Sequence, residues 1–171
     1  MKQLTIILAL LLNFNNLMAN ETPFNVRSFG ELPVLLNGRT KPLDTIARTS
    51  LLEMKGKQSI EVDGRKVEPS EWLLIMMTKP ELADKAITFR IEHPNIKALL
   101  KLPDEERYFA FADFQDHVNE LESNAQKAFD LDQDLRTIAQ QEMIRLQSNI
   151  TNYFRLQQSM ILSDGNYTRM D

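Results

Sequence analysis

The sequence predicts a mainly α-helical fold with a small β-hairpin, in which short helices precede a long C-terminal helix or helical hairpin. Three observations predict this fold. Apolar residues recur at steps of three and four, which is the period of a helix with one buried face. Residues 113–162 contain neither Pro nor Gly, so nothing in them breaks a long helix. Asp63-Gly64 stands between two short alternating segments, as in a two-residue β-turn.

Composition is that of an ordinary globular protein and excludes several kinds of site. The 171 residues are 43% hydrophobic and 26% charged, with a formal net charge of −4 and no Cys. This balance allows one domain with its own core. Without Cys the chain has no disulfide framework, no thiolate metal site and no Cys-x-x-Cys-His haem attachment site. The mild acidity lacks a clustered basic face, so nucleic acid is not an expected partner.

Residues 1–19 have the pattern of a secretory signal peptide. Lys2 supplies a positive charge, an apolar run follows from Leu4 to Leu12, and Ala19 ends the segment with a small residue. The run is too short for a bilayer span, which needs roughly 20 residues. We therefore expect a cleaved signal and a periplasmic protein, with peripheral membrane attachment compatible with the pattern. An uncleaved anchor or a buried first helix is the alternative.

Residues 20–112 are expected to form a small α+β domain that begins with an extended lead-in. The lead-in covers residues 20–38, and its apolar residues 32–36 are expected to form a short strand or a buried arm. A helix is then predicted from Thr40 to Met54. Thr40 would cap it, Pro42 would lie in its first turn, and Gly56 would end it.

The rest of this domain alternates between short strands and short helices. Residues 59–67 predict a hairpin around Asp63-Gly64. Ser70 is expected to cap a helix over residues 71–78, whose apolar residues on every side predict deep burial. A short turn of helix at Pro80, a strand over 86–92 and an amphipathic helix over 95–102 complete it.

Residues 113–162 are predicted to form the long helix. An interruption at the acidic stretch 130–134, which would produce a helical hairpin, is the alternative. Apolar residues along the segment form one seam, which is able to pack inside the chain, pair with another helix or self-associate; its members are Phe114, Val118, Leu121, Ala125, Ala128, Leu135, Ile138, Leu146, Ile150, Tyr153 and Met160. Residues 163–171 are polar and expected to be frayed.

The residues that usually carry chemistry form no convincing constellation. His93 and His117 are each interpreted as surface or capping residues, because they lack the spacing of a ligand pair. Acidic residues at 113, 116, 120 and 122 suit the positive end of a helix. No phosphate loop, nucleophile elbow or zinc-protease motif is present. The sequence therefore predicts no catalytic residue, no metal site, no cofactor and no enzyme.

One segment is the candidate partner-binding surface, and we refer to it as the corner: Arg39, Lys41, Pro42, Asp44 and Arg48. Its cations and its carboxylate surround the start of the predicted helix, where Pro42 fixes the backbone. The alternative is a self-contained cap with a surface ion pair, since exposed pairs are common and weak. Phe109 and Phe111 are a second candidate surface, for which core packing is the favoured interpretation.

Several segments follow one another between about residues 30 and 115: LPVLLNGRTKPLDTIARTSLLEMKGKQ, PSEWLLIMMTKPELA, ITFRIEHPNIKALLKLP and ERYFAFADF. In this order they resemble the periplasmic region of CcsBA-type proteins, the membrane machines of System II cytochrome c biogenesis that export and ligate haem. The resemblance implies a periplasmic location and a partner, which is either a membrane-embedded cytochrome c synthase component or apocytochrome c. It implies no haem site, because that family handles haem in a Trp-rich membrane part and this chain has a single Trp, Trp72.

The expected function is that of a periplasmic accessory or interaction protein of cytochrome c maturation, which acts by binding. The alternative from another class is a periplasmic structural or coiled-coil adaptor unrelated to haem, supported by the seam of residues 113–162. A small-ligand or metal binder is a third alternative, but the sequence shows no set of polar residues that would converge on one site.

Overall fold

The computed structural model describes residues 24–36 and 38–159. The predicted signal peptide, Asn37 and the predicted frayed tail lie outside these residues. Within them the chain is mainly helical with three two-stranded antiparallel sheets, which confirms the predicted fold class. The helices are α1 (Val26–Glu31), α2 (Leu43–Lys55), α3 (Pro69–Thr78), α4 (Pro80–Ala83), α5 (Pro94–Leu100), α6 (Val118–Phe129) and α7 (Ile138–Gln158), and the strands are β1 (Pro33–Leu36), β2 (Arg39–Pro42), β3 (Ile60–Val62), β4 (Arg65–Val67), β5 (Ile87–Arg90) and β6 (Tyr108–Ala110).

The lead-in is more structured than the predicted extended segment. Residues of α1 form one and a half turns of helix, and the Asn25 side chain caps them by accepting from the Ser28 amide at 3.0 Å. The predicted short strand is present as β1. Because Leu35 and Leu36 are exposed there, the alternative of a buried arm is wrong.

Two predicted helix starts are wrong by a few residues. Thr40 pairs with Leu35 in the β1–β2 hairpin, so α2 begins at Leu43, after an extended Pro42 in the N-cap position. Helix α3 begins at Pro69, and Ser70 lies inside its first turn, where its hydroxyl bonds to another helix instead of its own. Thr40 belongs to a strand ladder and the Ser70 hydroxyl bonds to Asp44, so neither residue is the cap that local rules assign to the helix end.

Two predicted turns are confirmed. Asp63 and Gly64 both have positive φ, at 52° and 71°, as a two-residue hairpin turn with right-handed twist requires. Gly56 ends α2 in the left-handed conformation, with φ of 73°. The loop between β1 and β2 also contains a positive-φ glycine, Gly38.

The long C-terminal segment is a helical hairpin. Helices α6 and α7 pack against each other and are separated by residues 130–137, which include a 3₁₀ turn at Gln133–Leu135. The acidic stretch of the alternative prediction lies in this connection. Thr137 and Gln140 form a reciprocal capping box that starts α7.

One cluster of buried side chains joins the two halves of the chain. It takes Leu51 from α2, Trp72 from α3 and Phe89 from β5, and Ile150 and Tyr153 from α7. The Phe89 ring centroid lies 5.3 Å from that of Tyr153, within the range of favourable aromatic contact. The seam of the long segment is therefore largely used inside the chain.

Phe109 and Phe111 belong to this core. Their exposed fractions are 2% and 7%, so the idea that they form a partner surface is wrong and the core interpretation is confirmed. Strand β6 pairs with β5, and this pairing places Phe109 opposite Phe89.

Candidate functional site: an apolar cleft beside the corner

A large open cleft is the main concave feature of the described residues. Its volume is about 1290 Å³, and its walls come from α1, the β1–β2 hairpin, α2, α3 and the second half of α7. The first part of the chain supplies apolar side chains to the lining, including Phe29, Val34, Leu36, Ile46, Leu74 and Met77, whereas α7 contributes mostly polar residues. Such a surface binds by removing apolar area from water.

Helix α3 lies between the core and this cleft. Trp72 and Met76 are fully buried, whereas Leu74 and Met77 are only partly buried and line the cleft. The prediction from the sequence was deep burial on every side. Helix α3 is thus apolar on every side because one side faces the buried core and another faces the open cleft.

The β1–β2 hairpin joins the cleft to the corner. Directly opposite residues of an antiparallel pair share one face of the sheet, and here Val34 pairs with Lys41 and Leu36 with Arg39. Val34, Leu36 and Lys41 line the cleft, and Leu35 belongs to the opposite face. The structure therefore places Lys41 in the cleft wall and Arg39 on the same face near the hairpin turn.

Among the residues that the structure describes, three charged side chains contribute to the cleft lining, namely Lys41, Glu53 and Arg155. None of them forms an ion pair with another residue of the described ranges. Two of the three are cations. A bound segment that carries carboxylates between apolar side chains would therefore complement the lining better than a basic segment.

Asp44 and Arg48 of the corner lie in a different environment from Lys41. The Arg48 Nε donates to Asp44 Oδ2 at 2.7 Å, and the Ser70 hydroxyl donates to Asp44 Oδ1 at 2.8 Å. The hydrogen bond from Arg48 and, to a lesser degree, that from Ser70 hold the pKa of Asp44 below its usual value, and Asp44 in turn raises the pKa of Arg48. This carboxylate thus ties the start of α2 to the start of α3.

Gly30 shows how closely three helices meet at Asp44. A Cβ at Gly30 would lie 2.6 Å from Ser70 Oγ and 3.4 Å from Asp44 Cβ. Helices α1, α2 and α3 therefore converge where only a hydrogen atom fits. Pro42 precedes this junction in extended conformation and directs the chain from the hairpin into α2.

The two histidines are distant from each other in sequence, and each belongs to a separate local structure. His93 Nδ1 accepts from the Asn95 amide at 3.2 Å and caps α5, which confirms the interpretation of a capping residue. His117 closes a 3₁₀ turn before α6. Within residues 24–36 and 38–159, no group of three or more His, Asp or Glu side chains is arranged to hold a metal ion.

No family model matches the chain, and no curated protein matches it. In the part of the chain that the structure describes, no helix is both long enough and apolar enough to cross a bilayer. The cleft is the feature that reasoning from the sequence missed. Two features of the sequence indicated the cleft. Apolar and polar residues do not alternate regularly in β1, and α3 has no polar side.

Proposed function

We propose that the chain is a periplasmic accessory protein of cytochrome c maturation that acts by binding, and that its cleft takes an apolar segment of a membrane-embedded cytochrome c synthase component. Apocytochrome c is the alternative partner that the resemblance implies. The observation that carries the proposal is the apolar cleft, because one of its walls is the hairpin at the start of the resembling segment.

The size and shape of the cleft favour a polypeptide over a small ligand. Small-molecule pockets are usually enclosed and about 300–1,000 Å³ in volume, whereas this cleft is open and measures about 1290 Å³. A helix about 10 Å across would fill it with roughly three turns. An amphipathic helix in an apolar groove is a common mode of peptide recognition.

The lining also favours binding over bond-making. Among the charged residues of the cleft, Glu53 is the one carboxylate and Lys41 and Arg155 are the cations. Nucleophilic catalysis usually relies on a base within hydrogen-bond distance of the nucleophile that it activates. The lining instead offers apolar area for affinity and a few charges for orientation.

The β1–β2 hairpin provides a matched pair of variants to test this proposal. Leu36→Glu places a carboxylate in the cleft wall, and Leu35→Glu places the same side chain on the opposite face of the same strand. Both positions are exposed, at 41% and 72%, so both variants should keep the melting temperature of the parent chain. Pull-down from detergent-solubilised membranes measures the capture of the synthase component.

We expect Leu36→Glu to weaken capture by about tenfold or more, since loss of one apolar anchor costs about 1.4 kcal/mol or more. Leu35→Glu should leave capture unchanged. Equal capture by both variants would show that the cleft does not hold the partner.

Deletion of the gene tests the wider role. We expect loss of haem-stained c-type cytochromes and recovery when the parent chain is supplied, but not when the Leu36→Glu chain is supplied. Unaltered cytochromes after deletion would contradict a role in their maturation, even if the cleft bound a protein.

A further inference from the structure

The connection between α6 and α7 exposes an unusual density of large apolar side chains. We refer to residues 129–138 as the tip. Four of its side chains are exposed, namely Phe129, Leu131, Leu135 and Ile138, the last two at 71% and 74%. Single exposed leucines are ordinary, whereas four large apolar side chains exposed within ten residues make the tip a candidate interaction site.

Arg136 holds the backbone of the tip in place. Its Nη2 donates to the carbonyl oxygens of Phe129 at 2.8 Å and Leu131 at 2.9 Å, and its Nε donates to Leu131 at 3.1 Å. The guanidinium also lies over the Phe129 ring, 5.4 Å from its centroid. The apolar side chains are therefore presented by a preorganised turn, which lowers the entropy lost on binding.

The tip is also acidic. Asp130, Asp132 and Asp134 alternate with its apolar residues and are exposed. None of them forms an ion pair within the described ranges, and Arg136 is engaged by backbone carbonyls and the Phe129 ring. The surface thus combines apolar anchors with an excess of carboxylates.

We propose that the tip is a second docking surface, which takes a segment of a partner protein with Lys or Arg placed between apolar side chains. The charge of the tip is opposite in sign to that of the cleft lining, and roughly 15 Å of helix axis separates Ile138 from Ser148, the first cleft residue of α7. The two surfaces are therefore independent, and the tip does not rest on the function proposed for the cleft.

Charge decides against the two other occupants. A second copy in a two-fold contact would bring its own Asp130, Asp132 and Asp134 against the first set, and like charges in a contact are strongly unfavourable. Anionic lipid headgroups would be repelled for the same reason. A segment with both cationic and apolar side chains is favoured by the carboxylates of the tip and by its apolar side chains.

Site-specific photocrosslinking in the native cells tests the proposal with the full chain. A benzophenone side chain replaces Leu135 at the tip, and in the control it replaces Leu52, which is 49% exposed on α2 and lies outside both surfaces. We expect a protein adduct at position 135 and a yield at least fivefold lower at position 52. Mass spectrometry of the adduct should identify a partner peptide in which Lys or Arg alternates with apolar residues.

Charge variants of the tip make the test specific. In the chain with the crosslinker at position 135, Asp132→Asn with Asp134→Asn should lower the adduct yield several-fold without changing the melting temperature, because both side chains are exposed. An adduct with a second copy of the chain or with lipid would overturn the proposal. Equal yields at positions 135 and 52, or yields unaffected by the charge variants, would overturn it as well.

Discussion

At the scale of single residues, Asp44 shows how a side chain predicted to meet a partner serves the fold. Its two carboxylate oxygens accept from Arg48 and from Ser70, so that both are engaged within the chain. Arg39 and Lys41 form no ion pair among the described residues and remain the members of the corner that suit a partner. We expect charge reversal of these two cations to weaken binding, and changes at Asp44 to weaken folding.

The stabilisation from Asp44 should depend on pH. Asp44→Asn should lower the free energy of unfolding at pH 7 by about 1 kcal/mol, a modest value because the side chain is 37% exposed. The folded-state pKa of Asp44 is lowered from 3.8, so its contribution is complete above that value and disappears as the pH falls through the folded pKa. Urea unfolding of both chains between pH 7 and pH 2 measures this difference.

Glu68, which precedes the next helix α3, provides a control for Asp44. Glu68→Gln removes a carboxylate that is 77% exposed and lies 3.8 Å from Arg48. It should change stability by less than about 0.5 kcal/mol at every pH. A difference between the parent and the Asp44→Asn chain that does not decrease as the pH falls from 7 to 2 would show that the carboxylate charge is not responsible.

At the scale of elements, the junction of α1, α2 and α3 depends on the missing side chain of Gly30. Gly30→Ala should destabilise the chain by about 1–3 kcal/mol, because its Cβ would meet Ser70 Oγ at 2.6 Å. Ser70→Ala removes that oxygen and one hydrogen bond to Asp44. The double variant should therefore be more stable than the sum of the two single effects, which a cycle of thermal or urea unfolding measures. Strict additivity would show that the cost of Gly30→Ala does not arise from contact with Ser70 Oγ.

The elements also show what could be predicted from sequence. The turn at Asp63-Gly64 and the end of α2 at Gly56 were predicted correctly, because positive φ is a property of a few adjacent residues. The starts of α2 and α3 were misplaced, because Thr40 belongs to a strand ladder and Ser70 to a contact with Asp44, 26 positions earlier. The partner of Ser70 is distant in sequence and no local pattern shows it, whereas the hairpin that contains Thr40 has a local signal in Asn37-Gly38.

At the scale of the whole molecule, the cleft could not be predicted because five elements from both ends of the described chain form it. Phe29, Val34, Leu74 and Leu156 line the same space although they are far apart in sequence. The corner was predicted as a surface from nearby residues alone. Its relation to the cleft depends on the hairpin register, which places Lys41 opposite Val34.

Whether residues 24–112 and the helical hairpin α6–α7 unfold together is a question for the whole chain. Tyr153 of α7 donates its hydroxyl to Asp84 at 2.8 Å, and Gln157 donates to the same oxygen, while Ile150 is buried in the common core. Burial and the nearby Asp84 carboxylate raise the pKa of Tyr153, so its hydroxyl remains a donor at neutral pH. The hairpin is thus fastened to the first part of the chain by packing and by hydrogen bonds.

Ile150→Ala should therefore destabilise both parts equally. The variant removes a side chain that is 1% exposed, and a loss of about 2–5 kcal/mol is expected. Fluorescence of Trp72, the single Trp, reports on α3, whereas far-UV circular dichroism reports on all the helices, including α6 and α7. With one cooperative core, both signals have the same urea midpoint in the parent chain and move by the same amount in the variant. A fluorescence midpoint that stays in place while the dichroism midpoint falls would show that α6 and α7 unfold as a separate unit.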